Sequence, residues 1–297
     1  MIRIGTRGSQ LALWQANEVA RRLREAGKQT EIVTVRTTGD KRQDVTLASV
    51  GGKGVFIKEL EEALSRGEID IAVHSLKDVP SIVPGQFELA AFLERADPRD
   101  AWVQLERVPI HEMADGAKVA TSAPRRRAQL RALFPKLRIE EIRGNVDTRI
   151  NKLRAGIYDG AILASAGLVR LGRDGEITSR FSIDEMVPAA GQGIIAIETL
   201  AGRGKEVAAV LNHPPTALAA KCERGVLQKF GDLLDCYSAV AVHATQEDGA
   251  IVIRAFFGEI DGDRTIRFKQ SGTNPDDLVD GVYEALVAAG AEELAVR

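Results

Sequence analysis

The sequence predicts an α/β protein: two α/β domains in succession, followed by a small α+β domain. Three observations predict it. Nearly unbroken apolar runs alternate with amphipathic stretches of helical period, the arrangement of a parallel sheet covered on both faces. A charged, proline-containing stretch, Glu94-Arg95-Ala96-Asp97-Pro98-Arg99-Asp100, interrupts the alternation, which then begins again. From Ala239 the period changes to β-rich runs separated by Asp-Gly turns. A chain of 297 residues also exceeds what one core usually holds.

Each element has a local reason. Ile2–Ile4 reads as the first strand. Ser9 is placed to cap a helix whose apolar positions Ala12, Ala16, Val19, Leu23 and Ala26 recur at helical spacing, and Gly27 stops it. Glu31–Val35 is a second strand, Phe56–Ser65 a second helix and Ile69–Val73 a continuous apolar strand. After the boundary come strand Lys118–Thr121, a helix near Arg126–Leu133, strand Arg138–Ile142, helix Val146–Leu153, strand Gly160–Ala164 and a helical turn near Leu168. Ala219–Leu227 reads as helical. Ala239–Ala244, Ile251–Phe257 and Thr265–Lys269 are strands joined at Asp248-Gly249 and Asp261-Gly262-Asp263. Asn274 caps a final helix with Pro275 at its first position and Leu278, Val282 and Leu286 on one face.

Composition narrows the function. Lys and Arg number 40 against 42 Asp and Glu, a formal charge of -2, which argues against a dedicated nucleic-acid binder and makes any anion site local. Aromatic residues are 5% of the chain, too few for base-stacking platforms. No run approaches the roughly 20 apolar residues of a membrane-spanning helix. Met1 to Arg7 lacks the apolar core of a secretory signal. Cys222 and Cys236 form no CxxC pair, and with His74, His111, His213 and His243 they offer no zinc-ligand spacing. The expectation is a cytoplasmic chain with reduced thiols and no nucleic-acid, membrane or metal partner.

The cations are the most informative residues. Arg7 follows the first strand, Lys77 the strand ending at Val73, and Arg125, Arg126 and Arg127 the strand ending at Thr121. Arg143 follows the strand ending at Ile142, and Arg149 lies one helical turn further. Turns after strands gather at one sheet edge, where ligands bind and helix N-termini point. Guanidinium forks pair with carboxylate or phosphate. Each cation alone reads as a solvated charge; the set, at equivalent strand ends, points to a small polyanionic ligand.

His74-Ser75-Leu76-Lys77-Asp78-Val79-Pro80 delivers several polar groups from the end of an apolar strand. Asp78 reads either as a cap or a partner of Lys77, or as a carboxylate that stabilises a cationic intermediate or handles protons. His74 reads as structural. Val50-Gly51-Gly52-Lys53-Gly54-Val55 departs from a phosphate-binding loop, because Gly54 stands where Ser or Thr should follow the Lys. It reads instead as a mobile loop with Lys53 and Lys58 facing an anion. Gly191-Gln192-Gly193 has the outline of a dinucleotide fingerprint, but no clear strand leads into it, and that reading is rejected. Cys222 lies in a helical stretch and packs as a small hydrophobe. Cys236 lies in a loop, and on chemistry alone it is an inert thiol.

Taken together, several segments resemble the hydroxymethylbilane synthase (porphobilinogen deaminase) family nearly end to end. They are Gly5-Thr6-Arg7-Gly8-Ser9-Gln10-Leu11-Ala12-Leu13-Trp14-Gln15-Ala16, Gly51 through Glu61, His74 through Pro80 and Ile142-Arg143-Gly144-Asn145-Val146-Asp147-Thr148-Arg149. Tyr158-Asp159, Ala166-Gly167-Leu168 with Arg170, and Gly191-Gln192-Gly193 complete the set. The resemblance implies two periplasmic-binding-protein-like α/β domains, 1–95 with 191–212 and 96–190, plus a small C-terminal α+β domain, 213–297. It implies a transferase that condenses porphobilinogen head to tail into the linear tetrapyrrole hydroxymethylbilane, releasing ammonia, on a dipyrromethane cofactor held by a cysteine thioether. Carried over residue by residue, it implies Asp78 and Lys77 as catalytic and Cys236 as the covalent anchor. Lys53, Ser75, Asp78, Thr121, Ser122, Arg125, Arg126, Arg143 and Asp40 would contact the cofactor, and Arg7, Arg149, Arg170 and Gln192 the substrate. Porphobilinogen is the expected partner, and nothing suggests an obligate interface, so a monomer is expected.

The sequence departs from the family's pattern around the anchor. Leu234-Asp235 stand where the family usually has Gly-Gly, and the proline customary after the cysteine is missing. Asp147 adds a carboxylate beside the arginines. A second reading of the same residues is a non-catalytic two-lobed binder of small polycarboxylates; Cys236 together with Asp78, which simple binding does not require, separates the two.

Overall fold

The structure is a computed structural model, and it describes residues 1–35, 57–235, 237–260 and 264–295. In chain order the elements begin with β1 (Ile2–Thr6), α1 (Gln10–Glu25), β2 (Thr30–Thr34), α2 (Lys58–Ser65), β3 (Ile71–Ser75) and β4 (Phe87–Phe92). Next come β5 (Asp100–Val103), β6 (Lys118–Ala120), α3 (Pro124–Leu133), β7 (Arg138–Glu140), α4 (Val146–Arg154), β8 (Gly160–Ala164), α5 (Ser165–Arg170) and β9 (Ser179–Arg180). The chain ends with β10 (Ile195–Leu200), α6 (Lys205–Leu211), α7 (Pro214–Phe230), β11 (Ala239–Glu247), β12 (Ala250–Gly258), β13 (Thr265–Gly272), α8 (Pro275–Ala288) and α9 (Ala291–Ala295). They fall into two compact units: Met1–Ala96 with Gly193–Ala220, and Asp97–Gln192 with Lys221–Arg297.

The first unit is a five-stranded sheet in the order β2-β1-β3-β10-β4. β2, β1 and β3 are parallel; β10 runs antiparallel to both β3 and β4. Strand alternation sends Val73 to one face and Ala72 to the other. Val73 packs with Ile4, Val19, Leu23, Ile195 and Ile197 beneath α1, and Ala72 with Leu60, Leu64, Ile69 and Phe87 beneath α2. Ser9 starts α1 as its sequence position predicts, its Oγ accepting from Ala12 N–H at 3.3 Å.

The second unit holds a sheet with the same plan, β7-β6-β8-β5-β9: parallel through β7, β6 and β8, then antiparallel. Trp102 on β5 is fully buried among Val119, Leu130 and Ile162, and a Cβ at Gly160 would fall on its ring. Its neighbours Ala101 and Val103 point to the other face, among Ile150, Leu153 and Leu168. The unit also contains the antiparallel sheet β11-β12-β13, whose Ala239, Ala241 and Phe256 pack on Ala128 of α3. In each α/β sheet the first strand after a chain crossing, β5 or β10, takes the fourth position and runs against the parallel set.

The alternation predicted parallel sheets; both sheets are mixed, because the strands formed after the crossings enter from the opposite end. The strand expected at Ile69–Val73 is observed at Ile71–Ser75. Asp70 is diverted to accept the Arg3 backbone N–H at 2.7 Å, while His74 and Ser75 continue the strand because each has a side-chain partner. The Glu94–Asp100 boundary stretch leads directly into β5, which begins on a charged residue and carries no strand signature. The helix capped by Asn274 and the three C-terminal strands match expectation, the strands extending a few residues further, and the short α9, which was not expected, follows that helix.

Candidate active site

In the first unit, the residues singled out by sequence stand at the C-terminal ends of parallel strands. Arg7 follows β1 at the N-terminus of α1. β3 ends at Ser75 and passes into a 3-10 turn, Leu76–Asp78. Leu76 and Val79 are buried, while Lys77 and Asp78 between them are exposed. The turn is anchored at Leu76, whose N–H donates to Ile194 O at 3.0 Å. Ser75 Oγ accepts from Nε2 of buried Gln15 on α1 at 2.8 Å, leaving its own O–H available to donate. The apolar neighbours thus pin the backbone, and the two charged side chains face outward.

In the second unit the same edge carries the other set. Thr121, buried, and Ser122, exposed, follow β6; Thr121 Oγ1 accepts from Ala123 N–H at 3.3 Å. After β7, Asn145 caps α4 by accepting from Thr148 N–H at 2.9 Å. Beside that cap Arg149 Nε donates to Gly144 O at 2.8 Å, and Arg143 Nη2 pairs with exposed Glu141 at 2.7 Å. Arg170 closes α5 after β8. Asp147, the extra carboxylate, is taken up by Arg173 Nη2 at 2.8 Å.

Arg125, Arg126 and Gln192 were expected to contact ligand; each is nearly inaccessible, at 5%, 5% and 1% exposure, and occupied within the chain. Arg125 grips Asp100 with Nη1 at 2.6 Å and Nη2 at 3.1 Å; Arg126 places Nε at 3.0 Å and Nη2 at 2.7 Å from the same carboxylate. Arg125 also donates to Val187 O and Gln192 Oε1, and Arg126 to Ile162 O. Gln192 Nε2 donates to Pro98 O at 2.6 Å and to Asp100 Oδ1 at 2.9 Å. Burial alone would raise the Asp100 carboxyl, but the two guanidiniums overcome it and hold the group far below the ordinary carboxylate range. The three side chains bind Asp100, which the sequence places in the boundary stretch between two α/β domains.

Gly191-Gln192-Gly193 is a chain crossing, consistent with its rejection as a nucleotide motif. Gly191 and Gly193 have φ of 73° and 86°, and a Cβ on Gly193 would come within 2.5 Å of Ala96 O. Gly191 N–H donates to buried Glu223 Oε2 at 2.6 Å. Cys222, next to Glu223, is fully buried, and burial together with the Glu223 charge pushes its thiol up to about 11. Asp40, Lys53 and Cys236 lie outside the described residues. On either side of position 236, Asp235 Oδ1 accepts from Tyr237 N–H at 2.8 Å and from Ser238 Oγ at 3.0 Å, and Asp235 N–H donates to Ser238 Oγ at 3.0 Å. Sequence reading missed Asp100, Gln15, Glu198 and Ser165, all buried polar residues; their signal is a polar side chain inside an apolar run or at a strand end.

Residues 2–208 match the family model described as porphobilinogen deaminase, dipyromethane cofactor binding domain. Among curated relatives, the porphobilinogen deaminase of Thiobacillus denitrificans is 42% identical over 97% of this chain and 95% of its own length. That of Trichlorobacter lovleyi is 44% identical over 99% and 95%. Solved structures to which the chain is similar include a periplasmic substrate-binding protein of an ABC transporter from Coxiella burnetii, at 17% identity and TM-score 0.43 over 74% of this chain and 96% of that one. The methionine-binding protein MetQ gives 15% identity and TM-score 0.44 over 70% and 89%.

Proposed function

The chain belongs to the porphobilinogen deaminase family, and on that premise we propose which of its residues carry the reaction. The activity is the tetrapolymerisation of porphobilinogen to hydroxymethylbilane with release of ammonia, on a dipyrromethane primer. The chemistry of the donor set fits such a group: each pyrrole brings two carboxylates, and the strand ends of both units carry cations and hydroxyls. When bound, dipyrromethane supplies the pyrrole end to which the first substrate is joined.

Asp78 is the catalytic carboxylate and Lys77 its neighbour in the site. The observation that carries this reading is the 3-10 turn after β3, which exposes these two charged side chains between buried Leu76 and Val79. Loss of ammonia leaves an electron-poor carbon conjugated to a pyrrole nitrogen, and a fixed carboxylate stabilises that positive charge. Arg7, Arg149 and Arg170 hold substrate carboxylates. Arg143, whose partner Glu141 is exposed and readily displaced, holds those of the cofactor with Ser75, Thr121, Ser122, Lys53 and Asp40. Arg125 and Arg126 serve the cofactor as well: with Asp100 they form a trio of net charge +1, which draws its acid-bearing chain toward the end of β6.

Cys236 is the anchor. A soft thiolate captures such electrophiles readily, whereas Cys222, buried and with its thiol raised to about 11, does not. Residues 213–297 form the domain that bears it. We read the enzyme as cytoplasmic and monomeric: an unoxidised thiol is required, and one chain carries every residue assigned. Among the described residues no helix is long and apolar enough to cross a membrane. Intact mass spectrometry tests the assignment. A dipyrromethane adduct is expected on the wild type and on Cys222→Ser and is lost in Cys236→Ser; an adduct surviving Cys236→Ser rejects it.

A further inference from the structure

Building on the reading of Asp78 as the reacting carboxylate, we propose that His74 and Glu198 are positioning residues for the Lys77–Asp78 turn. His74 Nε2 lies 2.9 Å from Glu198 Oε2, with the two side chains 5% and 0% exposed. The pair sits in the centre of the first sheet, where β3 and β10 are antiparallel and His74 opposes Ala196 while Glu198 opposes Ala72.

Folding alone does not call for this pair. Ala72 and Ala196, which oppose its members on the same face, are apolar, and even a buried ion pair commonly contributes no more stability than apolar side chains of the same volume. Here the arrangement is costlier still, because Glu198 Oε1 is buried without a hydrogen-bond partner among the described residues. Glu61 on α2 adds a second carboxylate beside the pair; burial first, then the Glu198 charge, raises its carboxyl above the usual range. The sheet is also irregular at this point. Ile197 pairs with Ala91 and Glu198 with Leu89, so Ala90 of β4 is left over as a bulge. Bulges re-aim the side chains next to them.

The consequence is a two-sided clamp on the end of β3. Successive side chains on a strand point to opposite faces. Ser75 is tied to Gln15 on the α1 face, and His74 to Glu198 on the α2 face. Leu76 N–H is tied to Ile194 O. Two of these three ties come from 194–198, the segment that follows the return crossing, so that segment sets the place of the turn bearing Asp78.

Replacing both partners by apolar residues separates positioning from stability. The double variant His74→Leu with Glu198→Leu, prepared as cofactor-loaded protein, is expected to keep its adduct mass and a thermal midpoint near that of the wild type. Its KM for porphobilinogen should stay within about twofold while kcat falls about tenfold to a hundredfold, the scale of a small misplacement at a reacting group. A kcat within about twofold of wild type overturns the proposal. If the double variant fails to fold, Glu198→Gln, which keeps length and one acceptor oxygen, is expected to lose kcat several-fold at unchanged KM; unchanged kcat overturns the proposal equally. Asp78→Ala assayed in parallel keeps the two ideas apart. Turnover by Asp78→Ala with loss in the pair variants rejects Asp78 and leaves the positioning of the turn; an inactive Asp78→Ala beside normal pair variants rejects the positioning alone.

Discussion

Arg125 holds Asp100 with both terminal nitrogens, Nη1 at 2.6 Å and Nη2 at 3.1 Å, in a pair whose side chains are 5% and 0% exposed. Arg126 closes on the same carboxylate. Removing one member of a buried ion pair strands the others, so Asp100→Asn is expected to destabilise the fold by about 3–5 kcal/mol. Because the folded-state carboxyl lies far below its unfolded value, its contribution is fully present above roughly pH 4 and is lost as pH falls toward the folded value. Denaturant unfolding should therefore give one difference between wild type and Asp100→Asn at pH 5 and pH 8, and a smaller one at pH 3. A difference that grows on acidification contradicts the linkage.

Gly193 offers a sharper backbone test. Its φ of 86° lies in the left-handed region, and an added Cβ would meet Ala96 O at 2.5 Å. Gly202 has φ of 77° with nothing within 4 Å of such an atom. Gly202→Ala should cost only the conformational term, about 1 kcal/mol, whereas Gly193→Ala adds a clash with backbone that cannot swing away. The Gly193 variant should thus show the lower melting midpoint and the greater loss of turnover. Equal midpoints would mean that the crossing relaxes freely.

Much of this was legible in the sequence, and what was not shares a physical cause. α1, α4 and α8 carry capping residues, Ser9, Asn145 and Asn274, and an apolar stripe, so local signals and burial agree. Arg7, Lys77, Asp78, Arg143 and Arg149 stand after strands where the sequence places them, because turns after parallel strands are short and their residues can be counted off. β5 was hidden because its first residue, Asp100, is a charge that only a tertiary partner makes tolerable inside a sheet. The same partner explains Arg125 and Arg126: sequence gives the cation and its place at a strand end, but not the carboxylate that reaches it from 25 residues away. Gln192 is drawn to the same carboxylate, 92 residues away, which no local pattern shows.

The arginines still directed to strand ends make a graded prediction. Arg149 anchors Nε on Gly144 O at 2.8 Å, so its guanidinium plane is fixed by the loop that caps α4. A fixed planar fork suits a carboxylate in a way a lysine ammonium does not. Arg149→Lys should raise KM for porphobilinogen, and Arg149→Met should raise it further, by about tenfold or more, from the loss of a charged hydrogen bond. Thermal stability should change little beside the loss at Asp100. A KM unaffected by Arg149→Met would remove Arg149 from the substrate site.

Asp235 turns the departure from the usual Gly-Gly into a test. Its Oδ1 accepts from Tyr237 N–H at 2.8 Å and Ser238 Oγ at 3.0 Å, and its own N–H returns a bond to Ser238 Oγ. Leu234 beside it is buried, at 7% exposure. Where two glycines would leave the backbone free, this chain holds the turn with a side chain and an apolar anchor. Asp235→Gly, which restores the residue usual for the family, should lower stability by only about 1 kcal/mol, since the group is exposed and water can replace its bonds. The larger effect belongs in priming. Cofactor-free Asp235→Gly incubated with porphobilinogen should gain the dipyrromethane mass more slowly than wild type, because the turn around the anchor position must be ordered at each attempt. Ser238→Ala, which removes the reciprocal partner, should slow it in the same direction. Priming by both variants at the wild-type rate would show that this hydrogen-bonded turn has no part in presenting the thiol.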